Sequence, residues 1–267
     1  MPATASHREF WAQKKVLVTG ASSGIGHALA LGLVRRGAHV LATARRGDRL
    51  ESLANQASDL CLDKSVPCLR WYACDLTVAS DRAALVNWVQ TQTPVLDGLI
   101  NNAGAGAIGP FEQASEDRLR KIMEIDFFAP VELTRALLPS LRSAKLSFVM
   151  NVGSVLGHVA VPNKSEYCAA KFAMRGWHES LRCELRGSSV HMLMASPSTT
   201  RSEFFESLVD TPQGLQSRSL GSMSTEVVAE QILRSIPRHR RDSILSLGGK
   251  LLVWAHRLAP SWLERFL

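Results

Sequence analysis

The sequence predicts an α/β fold of the Rossmann type, a doubly wound parallel sheet of about seven strands in a single domain. Three observations carry that expectation. Short apolar runs alternate with helix-like runs along the 267-residue chain, the order that packs helices on both faces of a parallel sheet. A glycine-rich turn, Thr19 to Gly26, joins the first strand to the first helix. No internal repeat and no linker divides the chain, and its length suits one large α/β domain.

Composition narrows the class. Hydrophobic residues make up 46% and charged residues 21% of the chain, a globular rather than a disordered balance. No apolar run reaches the eighteen or so residues of a membrane span. Met1 to Lys15 is mostly polar and lacks a signal-peptide core, so the expected setting is the cytoplasm. The formal net charge of +7 suits an anionic cofactor or an anionic surface. There is no nucleic-acid motif and no interleaving of basic and aromatic residues, so no nucleic-acid partner is expected. The five cysteines, Cys61, Cys68, Cys74, Cys168 and Cys183, show neither Cys-x-x-Cys nor metal-site spacing; reduced thiols and no metal are expected.

Taken in order, Lys15 to Thr19 reads as the first strand. In the turn that follows, Gly20 permits the tight bend, Gly24 lets backbone approach a pyrophosphate, and Gly26 lets the helix pack on the strand. Ser22, Ser23 and Ile25 complete the turn, and the helix over Ala28 to Arg36 offers its N-terminal amides to phosphate. A plain strand-to-helix loop is the competing reading. His39 to Ala44 is the second strand. Where dinucleotide sites carry an acid for the ribose 2′-hydroxyl, this chain has Ala44 followed by Arg45 and Arg46. Two guanidiniums suit a 2′-phosphate, so NADP(H) is expected over NAD(H); a solvated basic turn is the alternative.

Gly47 to Ala57 is helical in pattern and Pro67 to Ala73 is the third strand. Asp75 and Leu76 follow it, Asp75 suited to an adenine amino group or to capping the next helix, over Asp81 to Gln92. Val95 to Ile100 is the fourth strand, ending in Asn101-Asn102-Ala103-Gly104, where small residues allow close backbone approach. Asn101 equally suits a bridge between strands. Ser115 to Leu141 reads as one helix bent at Pro130, with Asp126 inside it. Leu146 to Val152 is the fifth strand and leads to Ser154. Asn163 to Arg186 is a helix, Val190 to Ala195 the sixth strand, Thr225 to Ile236 a helix and Ser243 to Leu247 the seventh strand. A short helix over Glu203 to Val209 and a Ser/Gly/Gln-rich stretch make residues 201–224 a candidate substrate lid. Residues 1–246 then form the catalytic domain, and 247–267 a helix packed on it or extending from it.

Tyr167 and Lys171 stand at i and i+4, so they share one helix face. A nearby ammonium favours phenolate and lowers the phenol's pKa, which fits Tyr167 to exchange a proton with a carbonyl or alcohol oxygen. Ser154, at a strand exit, can donate to the same oxygen.

Together these motifs resemble the short-chain dehydrogenase/reductase family, from about Lys15 to Ser246. The resemblance rests on Thr19, Gly20, Gly24 and Gly26, on Asn101 to Gly104, on Ser154 thirteen residues before Tyr167, and on Lys171. Pro197 to Ser202, including Thr200, resembles the segment that contacts the nicotinamide. The family's mechanism implies hydride transfer between nicotinamide and substrate carbon. Tyr167 then supplies or accepts the proton, Lys171 tunes it and binds the ribose, and Ser154 orients the carbonyl. A homodimer or homotetramer through the helices near 115–141 and 163–186 is implied as well.

Two departures stand out. Asp126 occupies the place of the family's Asn in the proton relay; a carboxylate beside Lys171 offsets its field on Tyr167 and implies a slower or pH-shifted enzyme. Ser198 replaces the Gly of Pro-Gly, which requires a negative φ there.

The substrate expected is a small apolar ketone or secondary alcohol, met by Phe204, Phe205, Leu208 and the C-terminal tryptophans. An NADP(H)-binding regulator or peripheral membrane scaffold with weak catalysis is the alternative, favoured by Asp126. The Trp-rich basic helix over Lys250 to Leu267 suits either a membrane interface or packing over the pocket or against a partner subunit.

Overall fold

The computed structural model describes residues 9–61, 67–201, 208–211, 222–263 and 265. In chain order these form β1 (Lys15–Thr19), α1 (Gly24–Val34), β2 (His39–Ala44), α2 (Gly47–Leu60), β3 (Leu69–Ala73), α3 (Ala79–Gln92) and β4 (Gly98–Asn101). Then come α4 (Glu116–Met123), a π-helical turn (Glu124–Phe128), α5 (Ala129–Arg142), β5 (Ser147–Val152), α6 (Ser165–Glu184) and β6 (Val190–Ser196). The chain continues through β7 (Thr200–Arg201), β8 (Met223–Ser224), α7 (Thr225–Ser235), β9 (Asp242–Ile244), α8 (Leu247–Leu258) and α9 (Pro260–Leu263).

Seven strands make one parallel sheet in the order β3-β2-β1-β4-β5-β6-β9. The central strands β4 and β5 are buried at every residue, as strands covered on both faces must be. One apolar cluster joins Leu29 and Leu33 of α1, Leu50 of α2 and Ile232 of α7 to one face. A second joins Leu85 of α3 with Leu133 and Leu137 of α5 to the other. The predicted doubly wound architecture is the one observed.

Strand order reverses between β1 and β4. Their connecting helices leave toward opposite faces, and a crevice opens at the carboxyl ends of the strands. The chain ends of β1, β4, β5 and β6 border it, bringing together Gly20, Asn102, Ser154 and Pro197.

Four expectations need correction. The helix over 115–141 is interrupted at Glu124–Phe128, upstream of Pro130. Proline lacks the N–H an unbroken helix would bond back; Ala129 N–H bonds instead to Glu124 O, and Pro130 falls in the first turn of α5, where no donor is needed. The last strand ends at Ile244, because the Ser246 hydroxyl caps α8 by accepting from Gly249 N at 2.9 Å. The C-terminal helix begins at Leu247 and breaks at Ala259 before Pro260. Cys61 and Cys68 are not free: they form a disulfide with Cα atoms 5.9 Å apart. The bond brings the end of α2 beside the start of β3, which seven residues of spacing alone did not reveal. The other three cysteines are free thiols. Of the expected lid, residues 202–207 and 212–221 lie outside the described residues; its ends pair as a two-stranded parallel ribbon, β7 with β8.

A buried polar chain ties β4, β5, α5 and α6 beneath the crevice. Asn101 Nδ2 donates to Asn151 Oδ1 at 2.8 Å and lies 3.1 Å from Thr134 Oγ1. Asn101 therefore bridges strands, the second of its two expected roles. Asn151 Nδ2 in turn donates to His178 Nδ1 at 3.1 Å, which keeps the imidazole neutral. Burial, with Arg182 nearby, lowers the His178 pKa from 6.5 to about 4.

A depressed histidine pKa stabilises the fold fully above the unfolded value, and that stability is lost as pH falls toward the folded one. Urea unfolding should therefore show about 3 kcal/mol lost from this group between its unfolded pKa of 6.5 and its folded pKa of about 4. His178→Asn should flatten that part of the profile. An unchanged slope would remove His178 as the cause.

Candidate active site

The cleft above the sheet holds about 2140 Å³, room for a dinucleotide together with a second molecule. Its narrowest part is a stitch between two turns. Thr19 Oγ1 donates to Ile100 O and accepts from the backbone N–H of Asn102 and of Ala103, both at 3.0 Å. The Asn102 side-chain amide donates to Thr19 O at 2.9 Å and lies 3.3 Å from Gly20 O. A Cβ on Gly20 would meet Ala103 Cα at 2.8 Å, and φ there is +66°. A Cβ on Gly26 would lie 2.2 Å from Gly20 O. Glycine is the residue these positions accept, and the turn opens directly into the N-terminus of α1, where amide N–H groups favour an anion.

On the β2 side, Arg46 reaches back over the turn, its Nη2 3.1 Å from Ser22 Oγ and 2.9 Å from Ser23 Oγ. Arg45 also lines the cleft. The Asp75 carboxylate accepts from the Thr77 N–H at 2.9 Å and from its hydroxyl at 2.8 Å, an Asx turn. The helix cap at α3 is Val78 instead. Asp75 and Leu76 both border the cleft, as do Gly24, Ile25, Ala103 and Gly104.

Ser154 leaves β5 in an extended conformation, and its Oγ accepts from Leu156 N at 3.0 Å. Its side chain acts on the Tyr167 phenol, drawing the phenol pKa down. Lys171, one turn further along α6, places Nζ 5.4 Å from the centroid of the Tyr167 ring. All three border the cleft.

Asp126 stands behind them, buried, with Oδ2 3.4 Å from Lys171 Nζ and Oδ1 accepting from Ala105 N at 2.9 Å. The π-helical turn carries it there, and Gly104 leaves it room: a Cβ on Gly104 would lie 2.6 Å from Asp126 Oδ1. Asp126 does not itself border the cleft.

These charges reverse one expectation. Burial raises the Tyr167 pKa above the ordinary phenol value; Lys171 pulls it down, but Asp126 pushes it up again, and the net shift is upward. A lowered value follows from the Tyr–Lys pair taken alone; the fold adds desolvation and a carboxylate. Burial raises Asp126 despite Lys171 and the Ala105 amide. Burial works against the Lys171 charge, yet Asp126 and Tyr167 outweigh it and raise its pKa. Cys168, beside Tyr167, is buried and its thiol is likewise raised, which makes it a poor nucleophile.

Next to Tyr167 on α6, buried Glu166 accepts from Arg118 Nε at 3.0 Å and Nη2 at 2.8 Å. Arg118 also reaches the carbonyls of Gly109 and Asp210. It thereby ties α6 to the loop after β4 and to residues 208–211 within the expected lid. The sequence offered no sign of this clamp, because its members are 48 residues apart in the chain.

Pro197 and Thr200 border the cleft; Ser202 lies outside the described residues, as do Phe204 and Phe205. Ser198 has none of the positive φ that would demand glycine. Leu208 borders the cleft with Val155, Leu156, Val161, Val209 and Leu252, an apolar wall beside Ser154 and Tyr167. Trp254 and Trp262 do not face it; they are exposed on the outside. Helix α8, which carries Trp254, meets the cleft through its other face.

Residues 14–213 match the family model for short chain dehydrogenases. The chain belongs to the short-chain dehydrogenase/reductase family, and is an oxidoreductase of the CH–OH/C=O pair. It is 31% identical over 256 residues to a dehydrogenase/reductase SDR family protein 7-like from Anopheles gambiae, covering 93% of this chain and 80% of the relative. It is 33% identical over 200 residues to the uncharacterized oxidoreductase YbbO of Escherichia coli, covering 74% and 70%. Among solved structures, a short-chain dehydrogenase from Sphingobium yanoikuyae in complex with NADPH superposes with a TM-score of 0.79 at 27% identity, covering 95% and 96%. A family member from Burkholderia phymatum in complex with NAD reaches 0.83 at 18% identity, covering 95% and 96%, a likeness of fold.

With only two tyrosines in the chain, Tyr72→Phe isolates Tyr167 for spectroscopic titration. Tyrosinate absorbance should then appear above the ordinary phenol value of 10.0, and adding Asp126→Asn should move the midpoint down. A midpoint below 10.0 in the Tyr72→Phe protein would contradict the charge balance described here.

Proposed function

We propose that this chain is an NADP(H)-dependent oxidoreductase that reduces an apolar ketone to its secondary alcohol, with Ser154, Tyr167 and Lys171 as catalytic residues. The observation that carries this reading is that Ser154, Tyr167 and Lys171 border one cleft, with Lys171 Nζ 5.4 Å from the Tyr167 ring centroid and an apolar wall alongside. The nicotinamide, when bound, supplies the hydride. The glycine turn and the N-terminus of α1 would hold the pyrophosphate, with Asn102, Ala103 and Gly104 alongside. Asp75 and Leu76 would border the adenine, and Pro197 and Thr200 the nicotinamide.

Ser154 donates to the carbonyl oxygen and fixes its orientation. Tyr167, with its raised pKa, is a phenol at neutral pH and stands ready to donate its proton to that oxygen. Lys171 offsets the phenolate that results, and Asp126 keeps Lys171 charged and in place. This protonation state favours reduction over alcohol oxidation near pH ~7. Tyr167→Phe should lower kcat for ketone reduction by roughly 10²- to 10⁴-fold while NADPH still binds. NADPH binding without turnover of any carbonyl by the unaltered protein would favour a cofactor-binding regulator, the reading Asp126 supports.

The NADP(H) preference rests on Arg46 and Arg45. They follow Ala44, which stands where an acid would otherwise repel a 2′-phosphate, and Arg46 gathers the Ser22 and Ser23 hydroxyls beside that point. Titration calorimetry should show Arg46→Ala weakening NADPH binding by roughly 10- to 100-fold, the worth of a charge-assisted hydrogen bond, with NADH nearly unaffected. Equal losses for both cofactors would refute the preference. A homodimer or homotetramer is supported by Leu119, Phe128 and Phe172, exposed apolar residues on the helices around 115–141 and 163–186.

A further inference from the structure

Helix α8 has two apolar faces. Its inner face buries Val253 against Val155, Val159 and Leu263, with Leu252 and Ile244 packed alongside. That face accounts for its place in the fold. The outer face carries Leu247, Leu251, Trp254 and Leu258, exposed by 78%, 71%, 65% and 73%. Spacings of four, three and four residues stack them in one stripe along the helix. Trp262 of α9 adds a fifth large apolar side chain, 57% exposed. Scattered surface leucines need no explanation, but a contiguous stripe with two tryptophans does.

The charges around the stripe are of one sign. Lys250 and Arg257 lie along one edge of it and are exposed. Residues 243–263 contain no Asp or Glu. Arg257 and Asp242 both act on the charge of His158, so the C-terminal end of α8 lies near the start of β9, which follows exposed Arg238, Arg240 and Arg241. Among the described residues, the acids in this neighbourhood are Asp242 and Glu179, the latter paired with Arg175 at 2.9 Å; Glu264, next in sequence after α9, lies outside the described residues.

We propose that the outer face of α8 docks on an anionic membrane surface, with its leucines and Trp254 entering the headgroup region and its basic residues against lipid phosphates. Tryptophan and leucine on one side and lysine and arginine beside them are what an interfacial helix needs. The helix is twelve residues long, which at ~1.5 Å per residue is too short to cross a bilayer; among the described residues no helix is long and apolar enough to do so. It lies along the surface instead. A second copy of the chain fits less well. A two-fold interface sets the same patch against itself, and with no acid from 243 to 263 it would bring cation to cation. Docking would also place the membrane beside a helix whose inner side, at Gly248, Gly249 and Leu252, borders the cleft.

The test needs no substrate and no cofactor, so its outcome is separate from that of the oxidoreductase reading. Full-length protein is sedimented with vesicles of phosphatidylcholine alone and with vesicles containing ~30% phosphatidylserine. It should pellet with the anionic vesicles and much less with the neutral ones. Leu251→Ser with Trp254→Ser should reduce anionic-vesicle affinity by about tenfold or more, at positions exposed enough to leave the fold intact. Lys250→Glu with Arg257→Glu should also reduce it. Sedimentation velocity should give the same assembly for the Leu251/Trp254 variant as for the unaltered protein. Recovery of the unaltered protein in the supernatant with anionic vesicles would overturn the proposal. Dissociation of an oligomer by the Leu251/Trp254 variant would also overturn it, giving the face to a second copy.

Discussion

The reversal of strand order between β1 and β4 is the constraint on which the site depends. Strands on either side of that point send their helices to opposite faces of the sheet, and no helix covers the gap between them. The gap is kept narrow by hydrogen bonds rather than by side-chain packing. Thr19 and Asn102 tie the two turns together with four contacts between 2.9 and 3.3 Å, and glycine at 20 and 26 removes the side chains that would force them apart. The same closeness leaves backbone amides facing the cleft, where a pyrophosphate can take them up.

Behind the cleft, the electrostatics turn on a buried carboxylate and a buried ammonium. Taking either charge out of water alone is costly, and together they survive because each neutralises the other at 3.4 Å. The consequence reaches Tyr167. Burial raises the phenol's pKa, and Lys171, shared between a carboxylate and a phenol, offsets less of that rise, so the proton stays on Tyr167 to higher pH. The polar chain through Asn101, Asn151 and His178 lies under the same strands and helices. It holds β4 and β5 in register below Ser154, Tyr167 and Lys171.

Much of this was legible in the residues. The alternation of strands and helices is legible because buried parallel strands need continuous apolar runs, and the chain has few other long ones. Ser154, Tyr167 and Lys171 are legible because strand exit and helical spacing are local facts. Others were not. The π-helical turn that aims Asp126 inward depends on how the chain resolves the missing N–H of Pro130. The tryptophans of the last helix were expected over the substrate and stand on the outside. An apolar pattern shared by two faces of one helix does not say which face meets the protein.

The sequence by itself determined the order of elements, the glycine turn, the basic residues after β2 and the spacing of Ser154, Tyr167 and Lys171. All of these follow from interactions between residues close together in the chain. Only the tertiary structure decided the sign of the Tyr167 shift, the Arg118–Glu166 clamp, the Cys61–Cys68 disulfide and the outward face of α8. Each depends on burial or on partners brought close by the fold, and desolvation energies and contact distances exist only once that packing is complete.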